Sequence, residues 1–143
     1  FNYYVKDPYH YDEKFQRVKV RKLIEGLKLN GLDQKKFNNT LKNLRYSDDI
    51  VKFYVNQNLN ENIYFLLKKN QLIIDYNFFK QPHEIVFRSF SESLKSIGMK
   101  HYTPRGKKID KLIDNIKRDK LSKATLGGCI IEKINQTVII SKE

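Results

Sequence analysis

Apolar residues recur along most of this chain at helical spacing, and near its end at the spacing of strands. Phe15, Val18, Leu23, Ile24 and Leu27 can form one side of a helix. Asp12 is placed to cap its first turn, and Glu13 lies within that turn, where negative charge suits the helix dipole. Gly31 ends this helix and Asp33 can cap a second. Phe37, Leu41, Leu44, Val51 and Val55 then follow at alternating three- and four-residue steps, a stripe predicted to face the core. Asp48 interrupts it. We read Asp48 as the point where the stripe drifts from the core; the competing reading makes it the partner of a basic group on a neighbouring helix. Asn56 to Asn62 reads as a polar break.

Beyond the break, Ile63 to Leu67 and Leu72 to Asp75 are short apolar runs around Lys68, Lys69, Asn70 and Gln71, which predicts a hairpin with a polar turn. The turn has no Asn-Gly or Asp-Gly pair, so a helix continued through Leu67 competes. Pro82 suits a first helical turn, Phe87, Phe90, Leu94 and Ile97 share one side of the helix that follows, and Gly98 closes it. Arg88 on its flank reads as a surface charge. Ile109, Leu112, Ile113 and Ile116 form the apolar side of a further helix. The last stretch holds β-branched runs, Thr125 and Leu126, Cys129 to Glu132 and Thr137 to Ile140, separated by Gly127-Gly128 and Asn135-Gln136, the pattern of a small antiparallel sheet. The fold class expected is mainly α: a helical bundle with a short hairpin and a small C-terminal antiparallel β-sheet, α+β.

Charge changes the picture. The 143 residues carry 28 Lys and Arg against 16 Asp and Glu, a net +12, with a pI near 9.7. Such a balance favours a polyanionic partner, nucleic acid ahead of acidic membrane, because no basic amphipathic anchor with exposed aromatics stands out. Half of that charge lies between Lys100 and Lys123, where nine Lys or Arg stand against three Asp. Lys108, Lys111, Asn115 and Arg118 recur opposite the apolar side of the helix there, with Arg105 and Lys107 leading into it. A row of cations fixed by a buried stripe neutralises phosphates by position, without reading sequence; a merely solvated face is the competing reading. His101 and Tyr102 are placed to stack on an unpaired base or to pack.

Other chemistry is sparse. Cys129 has no second cysteine to pair with, fits a reducing compartment and reads as a small buried residue. His10, His83 and His101 lack metal-ligand spacing. No run reaches the roughly 18 apolar residues of a membrane span. Gly127-Gly128 carries neither a Walker nor a G-x-G-x-x-G pattern and no helix follows, so it reads as a tight turn rather than a phosphate loop. The chain starts at Phe1 without methionine, which reads as a fragment of a longer protein.

Asp7, Pro8, Asp12, Phe15, Arg17 and Arg21 carry the sharpest motif. Proline holds Asp7 out of helical geometry. Arg17 and Arg21 project from successive turns, a pair suited to a phosphate or carboxylate, although Glu13, four residues before Arg17, also allows a simple surface ion pair. The stretch resembles the hinge region of the tRNA(Ile)-lysidine synthetases, D-P-S-N-x-D-x-x-F-x-R-x-x-x-R, with Tyr9 and His10 in place of Ser and Asn. Pro104, Arg105, Thr125, Leu126, Gly127, Gly128 and Glu143 resemble the end of the short alphaproteobacterial members. The likeness is weaker from Asn56 to Gln81, and the family's S-G-G-x-D-S loop is absent from these residues.

The resemblance implies a cytoplasmic carbon-nitrogen ligase. It would use ATP, with magnesium, to adenylate the C2 oxygen of the wobble cytidine of tRNA(Ile) with anticodon CAU, and the amine of L-lysine would then displace AMP to form lysidine. It implies catalytic roles for Asp7, Arg17 and Arg21, and tRNA contact by Arg105, Lys107, Lys108, Lys111 and Arg118. Residues 1–30 would be the end of the PP-loop domain and a connecting helix, 31–98 a helical substrate-binding domain, and 99–143 a basic helix plus small sheet. The ATP site would lie mostly upstream, leaving this segment inactive alone.

Overall fold

The computed structural model describes residues 16–99 and 104–143. Asp7, Asp12, Glu13 and Phe15, with His10, His101 and Tyr102, lie outside them, and so does the expected cap of the first helix. That helix, α1, runs Gln16–Leu29. It ends where Gly31 stands: Leu32 N–H donates to Leu27 O at 2.9 Å, Gly31 N–H donates to Lys28 O at 3.1 Å, and Gly31 takes φ 93°. These bonds satisfy carbonyls that the helix end would leave bare, and a residue without Cβ adopts that φ freely. Asp33 Oδ1 then accepts from the N–H groups of Lys35 and Lys36 at 2.9 and 3.1 Å, capping α2, Gln34–Asn62.

Two features of α2 differ from expectation. The polar stretch from Asn56 to Asn62 does not break the helix, because its inward-facing amides are buried and bonded. Asn58 Nδ2 donates to Phe78 O and Ser89 Oγ at 3.4 and 3.3 Å, and Asn62 Nδ2 donates to Asn58 Oδ1 at 2.9 Å. Polar side chains so partnered are tolerated inside a protein. The predicted core-facing stripe, conversely, faces the core only at its far end: Val55 is 2% exposed, whereas Phe37, Leu41 and Leu44 are exposed. The chain divides into two compact units between Tyr46 and Ser47, and the stripe crosses that boundary. In the first unit, the described residues are α1, its turn and the start of α2, too few elements to cover two apolar stripes. Val18 is buried there, but Leu23 and Leu27 are exposed.

The second unit is built on one sheet. Strands β1 (Ile63–Leu66) and β2 (Gln71–Asp75) form the expected hairpin, and a helix does not continue through Leu67. Asn70 turns the chain at φ 49°, a conformation asparagine tolerates, so no Asn-Gly signature is needed. Strands β3 (Lys123–Leu126), β4 (Cys129–Ile134) and β5 (Thr137–Lys142) form the C-terminal meander. Its two tight loops place Gly127 and Gly128 at φ 67° and 79°, and Asn135 at φ 54°. The two hairpins join: β2 pairs with β5, Leu72 opposite Ile140 and Ile74 opposite Val138, giving the order β1-β2-β5-β4-β3. Among the described residues the fold is thus α+β, four α-helices with one five-stranded antiparallel sheet.

Helices α3 (His83–Gly98) and α4 (Gly106–Lys117) supply the second layer. Val86, Phe90, Leu94 and Ile97 of α3 and Ile109, Leu112, Ile113 and Ile116 of α4 pack with Leu72, Ile74, Cys129, Ile131, Val138 and Ile140 of the sheet in one buried cluster. Phe78, Phe79 and Phe90 meet at ring separations of 5.1 to 6.4 Å. Cys129 is fully buried and its thiol donates to Leu94 O at 3.3 Å.

Gly98 has a different role from the one its position at the helix end suggests. Met99, not Gly98, takes the left-handed conformation after α3. A Cβ at Gly98 would lie 2.3 Å from Gly127 O and 3.2 Å from Cys129 Sγ, so α3 meets the β3–β4 turn only because no side chain intervenes. Backbone cannot yield as a flexible side chain can. Gly98→Ala is expected to lower the unfolding free energy by about 1 to 3 kcal/mol, read as a lower urea midpoint; an unchanged midpoint would contradict this packing.

Candidate nucleic-acid interface

Arg105 stands immediately before α4, and its carbonyl accepts from Lys108 N–H at 2.9 Å. At about 100° per residue, Ile109, Leu112, Ile113 and Ile116 cluster on one side of the helix. All four are buried, from 0 to 6% exposed. Lys107, Lys111 and Arg118 fall opposite them, and Lys108 lies on the flank. From Lys107 to Arg118 the axial rise is about 16 Å. Arg105, Lys107, Lys108, Lys111 and Arg118 are all exposed. Among the described residues none of these five makes an ion pair. Asp114 shares the outward face, whereas Asp110 is turned towards His83, its Oδ1 3.2 Å from His83 Nε2.

Four other cations of this unit are matched internally, whereas the exposed Lys68, Lys69 and Lys95, like the α4 row, make no ion pair among the described residues. Lys123 pairs with Glu132 across β3 and β4 at 2.6 Å, and Lys133 with Asp119. Arg88 reaches Glu84 at 2.7 Å and Asp48 at 2.8 Å, and Lys52 reaches Asp48 at 2.7 Å. Asp48 is therefore the partner of a basic group on a neighbouring helix rather than a drift of the stripe. Its pairing holds α2 against α3 at their polar edge. The cations of the α4 row make no such pair among the described residues, although Asp114 shares their face, and their field is directed to solvent.

Arg17 and Arg21 lie one turn apart on α1, both exposed. Asp7, their expected companion, is outside the described residues. The double-glycine turn packs closely on Pro104: a Cβ at Gly127 would sit 2.8 Å from Pro104 Cγ. The described residues do not gather three or more His, Cys, Asp or Glu where they could hold a metal ion. None of their helices is long and apolar enough to cross a membrane.

The chain is similar to tRNA(Ile)-lysidine synthases. It is 33% identical over 67 residues to proteins of that name from Wolbachia pipientis wMel and from Wolbachia sp. subsp. Brugia malayi (strain TRS). Each match spans 46% of this chain and 16% of the relative, so it covers only about a sixth of either relative's length. No protein-family model matches the chain, and no solved structure matches it.

Sequence reasoning did not find the Asp48, Lys52, Arg88 and Glu84 cluster, because the proximity that links Asp48 to Arg88 is created only when α2 packs on α3. Hydrogen bonding first to Lys52 and then to Arg88 holds the Asp48 carboxyl below its ordinary value, and the hydrogen bond to Asp48 raises Lys52. A carboxyl shifted down on folding stabilises above its unfolded pKa, and that contribution disappears as pH falls through the folded value. Asp48→Asn is expected to lower the denaturation midpoint at neutral pH, and the gap from wild type is expected to close below the usual carboxylate range. A gap that persists at low pH would assign the effect to something other than this charge.

Proposed function

We propose that this chain is part of a tRNA(Ile)-lysidine synthetase and that its second unit holds the tRNA. The observation that carries the reading is the construction of α4: one side wholly buried, the other a row of unmatched cations. A helix pinned in this way cannot roll its cationic side away from a bound backbone, so the line along which phosphates are met is set by the fold. The similarity to the Wolbachia proteins supports tRNA as the polyanion. The specific substrate, tRNA(Ile) with anticodon CAU, follows from the same likeness and from the motifs at both ends of the chain.

In this reading the parent enzyme uses ATP and L-lysine to convert the wobble cytidine to lysidine. No step of that chemistry falls to the described residues. Their task is to bind and orient. Arg105, Lys107, Lys108, Lys111 and Arg118 contact phosphates, while the exposed Arg17 and Arg21, with Asp7, serve the catalytic side of the enzyme. Residues 1–30 then belong to the close of the catalytic domain and 31–98 to the helical substrate-binding part, while 99–143 adds the basic helix and the three strands that complete the sheet begun by β1 and β2, in a cytoplasmic protein.

Two experiments test this. Lys108→Glu with Lys111→Glu is expected to weaken binding to tRNA and to flatten the plot of log affinity against log salt by about 0.7 to 0.9 for each phosphate no longer neutralised. Unchanged affinity and slope would remove α4 from the interface. Arg21→Ala in the full-length enzyme is expected to reduce turnover at least tenfold, about 1.4 kcal/mol in the transition state; wild-type turnover would reduce the arginine pair to a surface feature.

A further inference from the structure

A cavity of about 520 Å³ opens at the C-terminal end of α4. Ile116 and Leu121 contribute apolar wall and Tyr76 an aromatic side chain; Lys117, Asn135 and Gln136 contribute polar groups. Lys133 lines it as well, with a side chain only 8% exposed. Its ammonium is held between the carboxylate of Asp119 and the carbonyl of Asn135, the latter at 2.8 Å. A lysine this buried and doubly anchored is a fixed part of the wall rather than a waving surface charge.

The volume lies within the roughly 300 to 1,000 Å³ of small-molecule sites. Its lining combines three things that rarely meet by accident on a surface: an aromatic residue with apolar neighbours, side-chain amides able both to donate and to accept, and cations exceeding acids by two lysines to one aspartate. A flat, hydrogen-bonding, anionic ligand meets all three. The cavity also adjoins the cationic row, since Lys117, the last residue of α4, lines it and Arg118 follows directly in the chain. A phosphodiester chain following that row arrives there.

We propose that this cavity receives one unpaired nucleotide of the RNA that α4 grips, its base against Tyr76 and Leu121, its edge read by Asn135 and Gln136, and its phosphate towards Lys117. The proposal rests on the RNA-binding reading above and adds a site which that reading does not contain. It makes the segment sensitive to unpaired positions, whereas the cationic row alone grips any backbone. Unpaired bases are recognised by such stacking and edge contacts.

The test titrates the 143-residue chain with cytidine and adenosine 5′-monophosphates, with inorganic phosphate and ribose 5-phosphate as controls, following backbone amide resonances. The nucleotides are expected to shift Tyr76, Leu121, Asn135 and Gln136, and the controls to leave them in place. In Tyr76→Leu, and separately in Asn135→Gly with Gln136→Ala, affinity for the mononucleotides and for a stem-loop RNA is expected to fall about fivefold or more, with binding to fully paired RNA unchanged. Shifts of equal size with inorganic phosphate would reduce the cavity to an anion site and overturn the proposal. So would silent cavity resonances in a chain that still binds RNA through α4, an outcome that leaves the RNA-binding reading intact. Conversely, nucleotide-specific shifts in a chain whose RNA affinity ignores Lys108→Glu with Lys111→Glu would leave a nucleotide site independent of the α4 row and overturn the proposal that the two act on one RNA.

Discussion

The pairing of β2 with β5 is the constraint on which the rest of the second unit depends. It ties residues 71–75 to residues 137–141 and turns two hairpins into one sheet broad enough to carry two helices. Leu72, Ile74, Val138 and Ile140 alternate inward along that seam and form the floor of the core. Without the seam the apolar sides of α3 and α4 have nothing flat to cover, and α4 has no reason to keep one face inward.

The fixed inward face of α4 gives its charge a direction. Ile109, Leu112, Ile113 and Ile116 lock the helix about its axis, so the cations opposite them are aligned by hydrophobic packing and need no acids of their own. Elsewhere in the unit, part of the positive charge serves structure: Arg88 and Lys52 meet at Asp48, and Lys133 is anchored by Asp119. A net +12 alone says little about where a polyanion binds. The alignment of unpaired cations along one pinned helix says more, and it favours α4.

Much of this was legible in the residues because it is local. Gly31 and Asp33 end one helix and start the next through bonds to their own neighbours, and Gly127-Gly128 and Asn135 close two-residue loops. The period of Ile109 to Ile116 marks the buried side of α4 directly. What was hidden is what packing creates. Asn58 and Asn62 look like a break until Phe78 O and Ser89 are brought beside them, and Asp48 looks misplaced until Arg88, 40 residues on, lies within 2.8 Å. Gly98 looks like a helix stop, yet its missing side chain serves the contact with Gly127. Of the site residues, the exposed α4 row could be read from periodicity; the cavity residues come from segments far apart in the chain and could not.

The most direct test of the account is to follow the side chains of α4 during titration with tRNA. Lysine ammonium and arginine guanidinium resonances of Lys107, Lys108, Lys111 and Arg118 are expected to shift together. The methyl groups of Ile109, Leu112, Ile113 and Ile116 should stay where they are, since the helix need not move to bind. Shifts spread evenly over the lysines of the chain, or confined to cations away from α4, would contradict a binding face set by the burial of that helix.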